Sequence, residues 1–65
     1  MDNSERKYEL HQISIHLANT MDALIHAEHQ LREANCNREA NTLYSICDRL
    51  YRLQIAVKKK HDTLA

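Results

Sequence analysis

Glycine, proline, phenylalanine and tryptophan are all absent from this sequence of 65 residues. Without Gly and Pro the chain lacks the residues that most often form sharp turns between strands. Leu, Ala, Glu, Arg, Lys and Gln, which lose little freedom in a helix, are plentiful. The absence of Gly also excludes the Gly-rich loops that bind phosphate groups. The composition therefore predicts an all-α protein.

Long apolar runs are missing as well. No stretch approaches the ~18 apolar residues of a membrane span, and no signal-peptide pattern opens the chain. The two cysteines, Cys36 and Cys47, are eleven residues apart and match no metal-binding or redox motif. We therefore expect a cytoplasmic protein that binds no membrane and keeps both thiols reduced.

The charges balance, with nine basic and nine acidic residues, which argues against general attraction to nucleic acid. They are unevenly distributed, however. Residues 1–34 contain six acidic and three basic side chains, and residues 35–65 contain six basic and three acidic ones. Opposite charges favour folding of one half onto the other. Lys58, Lys59 and Lys60 suit the negative end of a helix dipole, so RNA binding through them is only an alternative interpretation.

Leucine recurs every seven residues in the first half of the chain, and a second apolar or small set follows three positions later. The leucines are Leu10, Leu17, Leu24 and Leu31, and the second set is Ile13, Thr20, Ala27 and Ala34. The second half repeats the pattern with Leu43, Leu50, Val57 and Leu64, followed by Ile46 and Leu53. This spacing predicts two amphipathic helices that pack along one apolar seam.

The two heptad blocks are out of phase. Leu31 and Leu43 are twelve residues apart, so the apolar stripe of one continuous helix would rotate by about 120° between them. The stretch LREANCNREANTL contains Asn35, Asn37 and Asn41, and Asn tolerates left-handed backbone and caps helices. We therefore predict a single domain over residues 1–65, with a helix at about 4–35, a turn at about 36–37 and a helix at about 38–63. Asp2 and Glu5 can form a capping-box-like start.

Folding the chain back at this turn brings the heptad levels together. Leu24 then lies opposite Leu50, and Leu17 opposite Val57. The predicted fold is an antiparallel two-helix hairpin with coiled-coil-like packing. Chains of about 60 residues bury only about 60% of their unfolded surface. We therefore expect dimerisation or a partner protein to complete the core.

Helical geometry leaves a second apolar surface beside the seam. At ~100° per residue, the leftover apolar residues of both helices point to the same side of the hairpin. We predict that this surface binds a protein, because contiguous apolar area with tyrosines is typical of interfaces. Its members are Ile15, Ala18, Met21, Ile25, Tyr44, Cys47, Tyr51 and Ile55. The alternative is that they are isolated surface residues. The opposite side is expected to be mostly polar, with His16, Gln30, Arg38, Arg49 and Lys60.

We predict no enzyme activity, catalytic residue, metal site or cofactor. His26 and His29 have a spacing that could bind one metal ion, but no second ligand pair is placed to complete a site. His61 lies near the end of the seam. Cys47 is interpreted as a small apolar residue at the seam edge, and no neighbouring motif activates Cys36.

The segments LHQISIHLANTMDALIHAEHQL and TLYSICDRLYRLQIAV, joined by an Asn-rich turn, resemble the small E-family cochaperones of type III secretion needle subunits. The resemblance covers most of the chain, in length, hairpin layout and the Tyr-then-Leu-Ile rhythm of the second helix. That family usually turns with Gly, whereas this chain has Asn. The resemblance implies a cytoplasmic, non-enzymatic chaperone. With a tetratricopeptide-like cochaperone, it would keep the needle subunit soluble and monomeric before export.

Two other interpretations remain open. One is a homodimeric four-helix bundle that regulates RNA, like the plasmid copy-number Rop proteins, in which two hairpins bury their leftover faces together. The net acidic first helix disfavours it. The other is a homodimer with a purely structural role.

Overall fold

The computed structural model describes residues 2–64 and contains two helices, α1 (Asn3–Glu33) and α2 (Asn37–Thr63). They pack against each other as an antiparallel hairpin that is 49 Å long, whereas one unbroken helix of this length would extend about 95 Å. The all-α hairpin predicted from the phase break is confirmed. α1 begins one residue earlier and ends two residues earlier than predicted, and α2 begins one residue earlier.

The turn is formed by Ala34, Asn35 and Cys36 rather than at residues 36–37. Asn35 has a φ of 64°, the left-handed conformation that Gly most often adopts at the end of a helix. The amide of Asn35 donates to the Arg32 carbonyl at 3.1 Å, and the amide of Cys36 to the Leu31 carbonyl at 2.8 Å. This pair of hydrogen bonds is the Schellman arrangement. Asn therefore replaces Gly here.

The start of α1 is capped as the sequence predicts. Asp2 lies in extended conformation, and its Oδ1 accepts a hydrogen bond from the Glu5 amide at 2.9 Å. Such a bond satisfies one of the free amides in the first turn. α2 has no equivalent, because Cys36 at its N-cap position makes no side-chain capping bond. The start of α2 is instead held by the turn itself.

The two leucine sets lie between the helices, as the heptad pattern predicts. Leu10, Leu17, Leu24 and Leu31 are half-buried, and so are Leu43, Leu50, Val57 and Leu64. The helices are aligned so that His11 lies opposite His61 and Arg32 opposite Asn41. A residue of α1 and a residue of α2 therefore lie at the same height along the hairpin when their numbers sum to about 72.

The second seam set was predicted wrongly. It lies four positions after each leucine, not three, so Ser14, Met21 and Glu28 face α2 and are half-buried. On α2 the corresponding residues are Ala40, Cys47, Gln54 and His61, of which Ala40 is fully buried at 0% exposure. Ile13, Ile46 and Leu53 are instead 41%, 44% and 50% exposed. Thr20 and Ala34 are also exposed, and Ala27 is half-buried.

Charge explains this choice on α2. The set that contains Ile46 and Leu53 continues, at the same seven-residue spacing, to Glu39 and Lys60. Placing that set in the seam would remove two charged groups from water, which is costly without partners. The alternative set, from Ala40 to His61, contains no residue with a fixed charge. Rotating α2 towards this set leaves two large aliphatic side chains in solvent but keeps both charges hydrated.

Candidate protein-binding groove

An apolar groove of about 360 Å³ runs beside the seam. Both helices supply its walls: Met21, Ile25 and Glu28 come from α1, and Tyr44, Cys47, Asp48 and Tyr51 come from α2. The half-buried Met21 and Cys47 lie closest to the seam, and the other apolar members rise from it towards solvent. Because Met has a flexible, polarisable side chain, such a floor can adjust its shape to a group placed against it.

Three large apolar side chains at the edges of this groove are more than half exposed. Ile25 is 55% exposed, Tyr44 62% and Tyr51 56%. Tyr44 and Tyr51 are two turns apart on α2, about 10 Å along the helix axis. Each side chain combines a large apolar ring with a polar hydroxyl, which suits a surface that is hydrated when free and covered when bound.

The two carboxylates of the groove are each paired with an arginine one turn further along the same helix. Glu28 Oε2 lies 3.1 Å from Arg32 Nε, and Asp48 Oδ2 lies 3.2 Å from Arg52 Nη2. Arg32 Nη2 also donates a hydrogen bond to Asn41 Oδ1 at 3.1 Å. The rim is therefore polar but locally neutral, and apolar contact is the main interaction that the groove offers.

Five of the eight residues predicted for the binding surface line this groove: Met21, Ile25, Tyr44, Cys47 and Tyr51. The other three lie outside its walls. Ala18 is exposed, and Ile15 and Ile55 are 40% and 39% exposed further towards the free ends of the helices. Met21 and Cys47 are nearer the seam than predicted, because the second seam set is shifted by one residue.

A second exposed apolar surface lies on the other side of the seam, where the sequence predicted mostly polar residues. It contains Ile13 from α1 with Ile46 and Leu53 from α2, and we call it the aliphatic flank. The pattern assigned these three residues to the seam itself, so their exposure was missed. His16, Arg49 and Lys60 are exposed on this side as predicted.

The remaining polar candidates do not converge on a reactive centre. Within residues 2–64, no group of three or more His, Cys, Asp or Glu side chains is placed to bind a metal ion. His29 Nε2 lies 3.0 Å from Glu33 Oε1 on the exposed surface. The rings of His11 and His61 are 6.0 Å apart between centroids, beside a cleft of mixed polar and apolar lining at the free ends of the helices. Cys36 and Cys47 are half-buried free thiols.

No protein-family model matches the chain, and no curated protein or solved structure is significantly similar to it. In the part of the chain that the structure describes, neither helix has a segment long and apolar enough to cross a bilayer.

Proposed function

We propose that this protein is a non-enzymatic protein–protein interaction module whose groove binds an amphipathic helix of another protein. The observation that carries the proposal is the groove itself, where Ile25, Tyr44 and Tyr51 are each more than half exposed around an apolar floor. A partner helix laid along it would convert the hairpin into a three-helix bundle. Helices that bind in this way present apolar residues at i, i+3, i+4 and i+7.

The size of the exposed surface supports a binding role. The chain has a solvent-accessible surface of 5142 Å² at a mass of 7.6 kDa. A compact monomer of that mass has about 4,300 Å², so the hairpin exposes roughly 850 Å² more than expected. Stable protein interfaces bury about 800 Å² on each partner. One interface of ordinary size would therefore remove the excess.

The specific role that we propose is that of a cytoplasmic cochaperone of type III secretion. It would act with a tetratricopeptide-like partner to keep a needle subunit soluble and monomeric before export. Support comes from the resemblance in length, hairpin layout and residue rhythm, together with an open apolar groove of the kind that a chaperone needs. The tetratricopeptide-like partner would bring the helix that occupies the groove.

The test is co-purification of the chain with its partner from the cells that produce it, using a matched set of tyrosine variants. Tyr44→Ala and Tyr51→Ala should each weaken the complex at least about tenfold, because a central aromatic anchor contributes ~2 kcal/mol or more. Tyr8→Ala is the control, since Tyr8 has the same 62% exposure as Tyr44 but lies outside the groove. Circular dichroism should show that all three variants remain helical.

The identity of the recovered protein tests the specific role. Recovery of a tetratricopeptide-like protein, and aggregation of the needle subunit in cells that produce Tyr51→Ala, would support the cochaperone proposal. Recovery of an unrelated protein through the same tyrosines would reject that role and retain the groove as a binding site. Equal recovery with Tyr8→Ala and Tyr51→Ala would reject the groove.

A further inference from the structure

The aliphatic flank lies on the side of the hairpin opposite the groove. At ~100° per residue, Leu53 projects to one side of α2 and Tyr51 to the other, with the seam between them. Ile13, Ile46 and Leu53 on this flank are 41–50% exposed. The flank therefore presents aliphatic area that a partner in the groove would leave uncovered.

The three aliphatic residues are arranged symmetrically along the hairpin. Ile13 and Ile46 lie on opposite sides of the level of Leu53, each about 10 Å away at ~1.5 Å per residue. A two-fold axis at that level, perpendicular to the helices, would bring Ile13 of one copy to the level of Ile46 and Ala27 of another. Ala27 is small, so it leaves space for an isoleucine. Such self-complementarity is required of an isologous dimer interface.

The charges at the two ends of the same flank are complementary under this axis. Arg6, near the start of α1, and Glu39, near the start of α2, are both exposed on the flank. They lie about 20 Å from the level of Leu53 in opposite directions. The two-fold operation therefore brings Arg6 of each copy to the level of Glu39 of the other. Such pairs favour the antiparallel dimer over the parallel one, in which like charges would meet. Lys60, which is exposed on the same flank, comes to the level of Ile46 of the other copy, where its alkyl stem can cover the isoleucine while its ammonium group stays in water.

The available area is also appropriate. The Cα atoms alone span 49 Å by 14 Å, so one side of the hairpin has a projected area of roughly 700 Å², which is large enough for an interface that buries ~800 Å² of accessible surface on each partner. From this area, the symmetry and the charges, we infer that the occupant of the aliphatic flank is a second copy of this chain. The product is an antiparallel four-helix bundle with both grooves facing outwards.

The experiment measures the oligomeric state of the full chain by sedimentation equilibrium at micromolar concentrations. We expect a dimer. Leu53→Glu should weaken it by about tenfold or more, because the charge would lie near the axis and meet its own copy. Tyr51→Glu is the matched control, two residues away on the same helix but in the groove, and it should leave the dimer intact. Since both side chains are at least half exposed, both variants should fold.

A cross-linking measurement keeps the test independent of any loss of stability. In a chain with Cys36→Ser and Cys47→Ala, Leu53→Cys should be linked into a covalent dimer by a short bismaleimide, whereas Ile25→Cys should not. A monomer at every concentration would overturn the inference and leave the groove proposal standing. A dimer that is broken by Tyr51→Glu and resists Leu53→Glu would overturn it as well, because the groove would then be the self-association surface.

Discussion

The two ends of the hairpin use equivalent heptad positions but fill them with different chemistry. Near the turn the seam position on α2 is Ala40, which is fully buried, and three heptads later it is His61, whose side chain is 27% exposed. The alanine methyl group is completely removed from water, whereas the histidine ring retains part of its hydration. The comparison indicates that stability is concentrated at the turn.

Hydrogen bonds reinforce this difference. At the turn end, the Schellman bonds and the Arg32–Asn41 hydrogen bond connect the end of α1 to the beginning of α2. At the open end, the rings of His11 and His61 face each other across the seam in a tilted pair, 6.0 Å apart between centroids. A cleft of about 270 Å³, whose lining includes Ser14 and Gln54, lies beside that pair. The open end should therefore fray first, which amide exchange can map.

The largest predicted effect comes from removing the leucine next to the turn, and the same truncation at the open end should cost much less. Leu43→Ala, next to the turn, should lower the free energy of unfolding by about 2 kcal/mol or slightly more, near the lower limit for leucine truncation because the residue is half-buried. Leu64→Ala, at the open end, should cost about 1 kcal/mol or less, since that end is already partly frayed. Urea denaturation of both variants measures the difference. Equal losses would show that both ends are equally ordered.

Replacement by leucine should have opposite effects on stability at the two equivalent seam positions, Ala40 and His61. Ala40→Leu would insert a large side chain into a fully buried site and should destabilise the hairpin by about 1–3 kcal/mol. His61→Leu should stabilise it by about 1 kcal/mol, because an apolar side chain would then cover the half-open end of the seam. For a domain of this size, 1 kcal/mol changes the melting temperature by about 4–8 °C. A decrease in melting temperature for His61→Leu would contradict the proposed difference between the ends.

The sequence was sufficient to predict the hairpin and the leucines of its seam, because Leu or Val recurs every seven residues in each half and the twelve-residue step leaves no continuous stripe. The predicted alignment of the helices, with Leu24 opposite Leu50, is about two residues away from the observed one. It was not sufficient to choose the second seam set. On α2, apolar residues flank the leucine stripe on both sides, with Ile46 on one side and Cys47 and Tyr51 on the other, so two rotations of the helix satisfy the pattern about equally. The decision depends on Glu39 and Lys60, which lie at the ends of the rejected set.

These two possible rotations also explain which residues of the candidate groove could be predicted from the sequence. Ile25, Tyr44 and Tyr51 lie outside the seam in either rotation, so simple helical geometry finds them. Ile13 on α1 and Leu53 on α2 move from the seam to the surface when each helix rotates so that the second seam set shifts by one residue. The aliphatic flank could therefore not be predicted from the sequence, because its exposure depends on how the two helices are rotated against each other.

The third prediction concerns the left-handed residue of the turn. Asn35→Ala should cost about 1 kcal/mol, because Ala adopts positive φ less readily than Asn, whereas Asn35→Gly should leave stability unchanged or raise it slightly. Asn19→Ala, on the exposed surface of α1, is the control for the change in side chain alone. Thermal unfolding of the three variants provides the measurement. If Asn35→Ala melted at the same temperature as Asn35→Gly, the backbone conformation of residue 35 would not limit stability.

The smallest effect should come from the hydrogen bond between Arg32 and Asn41, and only a double-mutant cycle can isolate it. Asn41→Ala removes the acceptor but also improves helix propensity by about 0.5 kcal/mol, so the single variant should be nearly neutral. The coupling between Arg32→Ala and Asn41→Ala should be about 0.5 kcal/mol, as for other exposed polar pairs. The Asp48–Arg52 pair lies within one helix, with Asp48 49% and Arg52 78% exposed, and should give about 0.3 kcal/mol or less. The Arg32–Asn41 and Asp48–Arg52 pairs differ more clearly in where their loss affects the structure than in how much stability each contributes. Because the Arg32 bond joins α1 to α2, Asn41→Ala should accelerate amide exchange at Cys36 and Asn37, whereas Arg52→Ala should not. Unchanged exchange at the turn in Asn41→Ala would assign the rigidity of that end to Ala40 and the Schellman bonds alone.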